Sequence, residues 1–346
     1  MSKLAARIEK WFVRHQRPLP WRESYDPYFV WVSEVMLQQT RMEVVLRYYS
    51  RFMTRFPTIR SLAAATDDEV MAQWSGLGYY RRARMLREGA IDVIERFEGA
   101  LPKTVEELMS IPGIGRYTAG AIASIAHRKK APIVDGNVAR IVARLEGIEA
   151  PLGSPALMRE AWLYAERYVA ASKDPRNFNQ GLMEIGALIC KPGKPLCLLC
   201  PLTASCVAFR TQRTSELPVK KEQKATQAMR IPLYLIVDDR GRVLMRREAG
   251  KLMKAMFHLP HGDSALLGGE PLRVALAERL GTFRHTVTTR RIEFELFTAK
   301  LPDALRDRDD YSWIDPASIA EVPHPSYVRK AFTLAGIEVG GRRLAR

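Results

Sequence analysis

From the N-terminus to about residue 210 the apolar positions recur at helical spacing. Met1 to Arg14 reads as an amphipathic helix. Three Thr-x-x-Glu capping boxes follow, Thr40 with Glu43, Thr66 with Glu69 and Thr104 with Glu107, each opening a helical stretch such as Val44, Val45, Tyr48 and Phe52. Leu108 to Ala126 predicts a helix, a tight turn at Pro112 to Gly115, and a second helix rich in small residues. Between Arg210 and Arg230 the period disappears and Lys220, Lys221 and Lys224 dominate, which predicts an interdomain linker. Beyond it, Ile231 to Val237, a turn at Asp238 to Gly241 and Val243 to Arg246 predict a hairpin, and Ile292, Phe294 and Leu296 alternate as in a half-buried strand. Helical spacing returns at Pro271 to Leu280 and Ser326 to Leu334. The pattern therefore divides the chain into an all-α domain at 1–210, a basic linker at 211–229 and a mixed α/β domain at 230–346, with no internal repeat.

At 346 residues the chain is long enough for two cores. Its 54 Lys and Arg against 38 Asp and Glu give a formal charge of +16, which favours a polyanionic partner, nucleic acid or an anionic membrane surface. No apolar run approaches the roughly 20 residues of a membrane span, and the start lacks a signal-peptide core; the expected location is cytoplasmic, with the nucleoid. The four cysteines, Cys190, Cys197, Cys200 and Cys206, are confined to one stretch with gaps of six, two and five residues. Four thiolates so close in sequence can converge on one tetrahedral zinc or one cubane cluster, and ligand type alone leaves both open.

The turn at Pro112 to Gly115 has the pattern of a helix-hairpin-helix. Gly113 and Gly115 let backbone approach a phosphate, and the next helix offers it free N–H groups, positioning a duplex without reading its sequence. Glu34 lies within the apolar segment Tyr28 to Leu37; a carboxyl buried there has a raised pKa and suits a general acid, whereas on a solvated face it would pair with an arginine. Asp135 follows Pro132 and Ile133 at a helix start, the position of an N-cap, and an ionised carboxylate there can also stabilise a developing cation.

The hairpin followed by the cysteine stretch resembles the endonuclease III superfamily, and within it the MutY family. SEVMLQQT at Ser33 to Thr40, WSGLGYYRRA at Trp74 to Ala83, PGIGRYTAG at Pro112 to Gly120, VDGNVAR at Val134 to Arg140 and FNQGLMEIGALIC at Phe178 to Cys190 carry the likeness. The resemblance implies a 4Fe-4S cluster on the four cysteines. It implies that Glu34 protonates the adenine leaving group, that Asp135 stabilises the oxocarbenium-like sugar, and that Asn137 holds that carboxylate and the attacking water. Tyr117 stands where strand-cleaving relatives carry a Schiff-base lysine; a phenol cannot form that intermediate, so a monofunctional enzyme is expected, with Tyr117 orienting the carboxylates. Tyr79 and Gln39 match residues that fill the gap left by the extruded nucleotide, Leu77 is a further wedge, and Trp21, Arg22 and Gln180 match the adenine pocket.

In the C-terminal part the resemblance is to a Nudix-like module that inspects the base opposite adenine. No run of carboxylates for magnesium lies between Gly262 and Gly281, so nucleotide hydrolysis is not expected, while LPHG at Leu259 to Gly262 and SWID at Ser312 to Asp315 fit the outline. Val287, Thr288 and Thr289 replace the family's Phe, Ser and His. Thr288 keeps a hydroxyl, Thr289 lacks an imidazole, and His285, on the same strand face as Thr289, is the residue expected to compensate in part. The expected fold is an all-α helix-hairpin-helix glycosylase domain with an iron-sulfur loop, followed by an α/β Nudix-like domain. Its expected substrate is double-stranded DNA with adenine opposite 8-oxoguanine or guanine, and a monomer suffices. A thymine-guanine mismatch glycosylase and a non-catalytic iron-sulfur damage sensor are the alternatives.

Overall fold

A computed structural model describes residues 1–220, 227–247, 256–262, 274, 276–287, 290–301 and 308–339. The chain forms two compact units, one from 1–63 with 88–222 and the other from 64–87 with 223–346, the division falling inside helix Arg81–Phe97. The sequence pattern set one boundary near 210; by their contacts, residues 64–87 instead group with the C-terminal strands.

The first unit is helical. Helix Ser2–His15 buries Ala5, Ile8 and Phe12, one residue per turn, and packs on helix Pro175–Leu188. Helix Gly136–Glu146 joins the same core through Val138, Ile141, Val142 and Leu145. In helix Met42–Arg55 the inward stripe is Val45, Tyr49 and Phe52, while Val44 is exposed, so the face is rotated from the expected one. The Thr40 to Glu43 box does not form. Arg41 occupies the cap position, and Thr40 Oγ1 donates to the Gln38 carbonyl at 3.4 Å. Thr104 caps its helix through the Glu107 N–H, and Thr66 with Glu69 makes the reciprocal box. The expected linker is partly docked: Arg144 Nε donates to the Leu217 carbonyl at 2.8 Å, and Val219 N donates to Ala150 O at 3.2 Å. Buried Leu217 anchors a stretch whose polarity reads as loop.

Among the described residues the second unit has two three-stranded sheets. β1 (Gln227–Leu235) pairs in parallel with β5 (Arg290–Ala299), which pairs antiparallel with β4 (Leu276–Val287). β2 (Val243–Arg247) lies between β3 (Phe257–His258) and β6 (Tyr311–Ile314). The expected hairpin is thus split. A turn at Asp238 to Gly241 does connect β1 to β2, but beyond the bridge at Val237 and Val243 the two strands enter different sheets: β1 pairs with β5 on one edge and meets Pro260 to Gly262 on the other. Ile292, Phe294 and Leu296 face the core as their alternation predicts, beside Tyr327, Val328 and Phe332 of helix Ser326–Leu334. The helix expected over Pro271 to Leu280 is not found where the chain is described. Leu276–Leu280 opens β4, its pairing to β5 overriding the helical spacing, and 271–273 and 275 lie outside the described residues. Among the described residues no helix is long and apolar enough to cross a membrane.

Thr66→Ala removes the hydroxyl half of the one reciprocal box among the three expected, leaving the bond from its backbone N–H to the Glu69 carboxylate. It should lower the unfolding free energy by about 1 kcal/mol in urea titration, and an unchanged midpoint would show that the hydroxyl contributes nothing.

Candidate active site

Helix Pro27–Leu37 starts on Asp26, whose carboxylate accepts from the N–H groups of Tyr28 and Phe29. Its register turns Glu34 inward, leaving the residue 4% exposed. Tyr117, two residues after the hairpin glycine Gly115, donates from Oη to Glu34 Oε2 at 2.8 Å, with Met183 Sδ at 3.1 Å from the same oxygen. Burial raises the Glu34 carboxyl from 4.5 to about 7; the Tyr117 hydrogen bond lowers it, the charge of Asp135 raises it and Arg22 lowers it. Burial first, then Glu34 and Asp135, hold the Tyr117 phenol well above its ordinary range. It is therefore a neutral donor.

Asp135 caps helix Gly136–Glu146, as its sequence position predicts. Oδ1 accepts from Val138 N at 2.7 Å and Oδ2 from Asn137 Nδ2 at 2.8 Å. Asn137 Oδ1 accepts in turn from Arg140 Nη2 at 2.9 Å. Helix Pro175–Leu188 comes so near that a Cβ on Gly186 would stand 2.7 Å from Asn137 Cβ. Glu34, Tyr117, Asp135 and Asn137 are thus brought together from three helices by burial, one cap and a backbone approach that only glycine allows.

Arg22 donates from Nε to Gln180 Oε1 at 2.9 Å and from Nη2 to Glu184 Oε2 at 3.0 Å. Glu184 also receives Arg17 Nε at 2.5 Å. Although burial acts to raise Glu184, the hydrogen bonds and charges of Arg17 and Arg22 hold it below the usual carboxylate range. Sequence reasoning named Arg22 and Gln180 but missed Glu184 and Arg17. The signal was the one-turn spacing of Gln180 and Glu184 on a helix otherwise buried on that face. Trp21 is buried edge-on to Tyr49, with ring centroids 5.0 Å apart. Gln39 is exposed just past its helix with a left-handed φ of 56°. In the hairpin, Gly113 has φ 81°, and a Cβ on Gly115 would meet open space.

The cysteine loop is tied to the same helix that begins at Asp135. Arg140 and Arg144, both buried, point their guanidinium groups at it. Arg140 Nε donates to Cys190 O at 2.7 Å, and Arg144 Nη1 to Cys190 Sγ at 3.3 Å. Cys206 Sγ donates to the Arg144 carbonyl at 3.4 Å. All four cysteines are free thiols. Burial pushes Cys200 up to about 11, and Cys190, Cys206 and Cys197 each add to that rise, so the four groups lie within one another's electrostatic reach. Among the described residues, no three Cys, His, Asp or Glu side chains converge at metal-binding distance. Four free thiols in mutual reach beside two buried cations nevertheless suit a bound group that carries a net negative charge with its ligands.

In the second unit, Tyr79 is 45% exposed, whereas Leu77, expected as a wedge, is 6% exposed. His285 is half-buried on the core-facing side of β4, its ring 6.4 Å from Phe294 and 5.8 Å from Tyr327. Burial and Lys330 lower its pKa. Thr288 and Thr289 lie outside the described residues.

Residues 32–166, which hold the buried glutamate, the hairpin and the Asp-capped helix, match the family described as "HhH-GPD superfamily base excision DNA repair protein". The chain is 35% identical over 260 residues to the adenine DNA glycosylase of Buchnera aphidicola subsp. Schizaphis graminum (strain Sg), the match covering 75% of each protein. It belongs to the MutY family of adenine DNA glycosylases, within the endonuclease III superfamily. The human adenine DNA glycosylase is 45% identical over 216 residues, 60% of this chain and 39% of that protein. The chain spans likewise under half the length of the mouse, rat and Arabidopsis thaliana relatives. Among solved structures, a thermostable thymine-DNA glycosylase superposes with a TM-score of 0.53 at 27% identity, over 60% of this chain and 96% of that one. A trapped endonuclease III–DNA covalent intermediate shares the fold, with a TM-score of 0.51 at 23% identity over 61% of this chain and 95% of that one.

The raised carboxyl makes stability depend on pH with a definite sign. Below about pH 4.5 Glu34 is protonated folded and unfolded alike; as pH rises through about 7, that contribution is lost because the unfolded chain ionises freely. Glu34→Gln should therefore exceed wild type in stability at pH 8, by up to about 3 kcal/mol, and match it at pH 4. Equal differences at both pH values in urea denaturation would mean that this carboxyl is unperturbed.

Proposed function

We propose that the protein is a monofunctional DNA glycosylase that hydrolyses the N-glycosidic bond of adenine opposite 8-oxoguanine or guanine in duplex DNA. The observation that carries this reading is the buried Glu34 carboxyl, poised at about 7 and held by the Tyr117 hydroxyl at 2.8 Å. A carboxyl with that value is protonated in a large share of molecules at neutral pH and can deliver its proton in the transition state. Glu34 gives its proton to a ring nitrogen of adenine; the C1′–N bond breaks and its electron pair leaves with the neutral base. Asp135, held in place by two donors, stabilises the oxocarbenium-like sugar. Water adds to C1′ and loses a proton, leaving an abasic site. Asn137 orients Asp135. Tyr117 offers no amine for a Schiff base, so strand cleavage is not part of the reaction.

The other assignments belong to the same reading. The backbone of Gly113 and Gly115 meets a phosphate, the open space at Gly115 leaving room for it. Trp21, Arg22 and Gln180 wall the adenine pocket, and Gln39 and Tyr79 act at the extruded nucleotide. Cys190, Cys197, Cys200 and Cys206 would hold a 4Fe-4S cluster, which supplies one-electron chemistry and cross-links the loop after helix Pro175–Leu188. The C-terminal part, with its mixed sheet beside a small antiparallel one, serves as a Nudix-like module reading the opposite base. Within it, His285 packed against Phe294 and Tyr327 stabilises the inspection strand more readily than it reaches a lesion.

Single-turnover base release on A:8-oxoguanine, A:G, T:G and C:G duplexes, with and without alkali, tests this function. Adenine alone should be released, and strands should break only after alkali. Release of thymine from T:G without adenine from A:G would transfer the assignment to a thymine glycosylase. Glu34→Gln and Asp135→Asn should each slow release at least about a hundredfold while duplex binding survives. The wild-type rate should fall as pH rises through about 7, when the protonated acid is lost. Tyr117→Phe removes a bond that lowers the Glu34 pKa, so it should move that limb to higher pH.

For the cysteine loop, anaerobically purified protein should be brown with about four irons per chain. Cys200→Ser should weaken DNA binding more than the chemical step. Stoichiometric zinc in colourless protein is the result that would rule the cluster out.

A further inference from the structure

After helix Asp67–Trp74 the chain enters a turn in which Gly76 (φ 94°), Gly78 (φ 80°) and Tyr79 (φ 50°) all have left-handed backbone. Tyrosine disfavours that region, so surrounding bonds must hold it there. Trp74 Nε1 and Arg82 Nη2 both donate to Gly78 O, at 3.1 and 3.0 Å. The Arg82 guanidinium lies 5.4 Å from the Trp74 ring centroid and 5.3 Å from that of Tyr79. Gly76 N donates to Tyr80 Oη at 3.2 Å. The result is an exposed aromatic ring with a cation against it, the kind of platform on which a nucleobase stacks.

The rest of the hold comes from nearly 250 positions away. Ser75 Oγ donates to the His324 carbonyl at 2.7 Å, and Tyr80 Oη donates to the same oxygen at 3.4 Å. That carbonyl is pinned by its own residue's imidazole. His324 is buried, its Nδ1 donates to Val322 O at 2.7 Å with Ser75 Oγ 3.2 Å away, and its Nε2 accepts from Arg329 Nε at 3.0 Å. The partners assign the proton to Nδ1, since a carbonyl only accepts and this guanidinium nitrogen only donates. Arg329 belongs to helix Ser326–Leu334, which packs on the sheet core through Tyr327, Val328 and Phe332. His324 thus links the turn to the helix that packs on the sheet core.

We propose that His324 is a positioning residue that holds the Ser75–Tyr80 turn in the shape presenting Tyr79 to a nucleobase, so that nucleotide extrusion depends on the C-terminal fold. This rests on the glycosylase reading above and adds a step to it. His324 takes no part in the chemistry at Glu34. Loss of the latch should slow opening of the base pair and leave bond cleavage alone.

The test compares single-turnover release of adenine paired opposite 8-oxoguanine with release of adenine opposite an abasic-site analogue, where no pair has to open. Ser75→Ala and His324→Ala should each slow release from the pair about tenfold, the scale of one lost buried hydrogen bond, with the unpaired substrate nearly unaffected. Combined, they should be no slower than the worse single variant, because both act on one contact. His324→Asn, which can keep the donor to Val322, should recover most of the rate. In parallel, 2-aminopurine in place of adenine reports extrusion by fluorescence without bond cleavage, and its gain should shrink in both alanine variants. Equal slowing on paired and unpaired adenine, or unchanged rates and fluorescence, overturns the proposal. If wild type releases no adenine, the glycosylase reading has failed, and the 2-aminopurine signal alone decides the latch. Should His324→Ala not fold, Ser75→Ala removes only a hydroxyl and carries the test.

Discussion

A carboxyl group buried on helix Pro27–Leu37 resists ionisation, and the candidate site is arranged around the one at Glu34. Burial alone would leave Glu34 with an unsatisfied polar end; Tyr117 supplies the hydrogen bond, and it can do so because burial also keeps its phenol neutral. The hairpin turn therefore has two duties. Its glycines face outward while the residue directly after Arg116 reaches inward, so one short segment fixes both the backbone edge and the acid's partner. Arg22 opposes the upward shift of Glu34 but is itself divided between Gln180 and Glu184, which limits how far its charge is spent on the acid.

Helix Gly136–Glu146 extends this arrangement. Its N-terminal cap is Asp135, its next turn holds Asn137 against Arg140, and its last turns aim Arg140 and Arg144 at the cysteine loop. Two buried guanidinium groups are expensive unless fully bonded, and here backbone carbonyls of Gly186, Cys190, Lys191 and Leu217 take their protons. The loop's cysteines and the candidate catalytic carboxylate are thus joined by one rigid element, although Asp135 and Cys190 are far apart in sequence.

Much of this was legible beforehand, for local reasons. Asp135 after Pro132 and Ile133 announces a cap, a glutamate inside an apolar helix announces a perturbed carboxyl, and alternation at Ile292, Phe294 and Leu296 announces a strand facing a core. What escaped depends on partners distant in the chain. Leu276–Leu280 has helical spacing but meets β5. Ile231 to Val237 is followed by a good turn, yet its strand pairs with β5 and with Pro260 to Gly262, which are distant in sequence. Thr40 precedes Glu43 at box spacing while the helix starts later, and Leu77, flanked by glycines as an exposed wedge would be, is buried. Residues 64–87 read as one more helical stretch of the first domain because nothing local reveals Ser75 bonding to His324. Glu184 was overlooked because a single acidic residue in an amphipathic helix usually means a solvated face.

The approach at Gly186 has a consequence for inherited variation. Gly186 bears no side chain and lies in the last turn of helix Pro175–Leu188, so a survey ranking positions by chemical character would pass over it. Yet the atom it lacks would stand only 2.7 Å from Asn137 Cβ, and Asn137 is the partner of Asp135. A glycine-to-alanine change there, which favours an isolated helix, would press on Asn137 and so on the carboxylate it steadies. The disturbance would reach the geometry around Asp135 with no change in its chemical identity, a defect hidden from any assay of protein abundance.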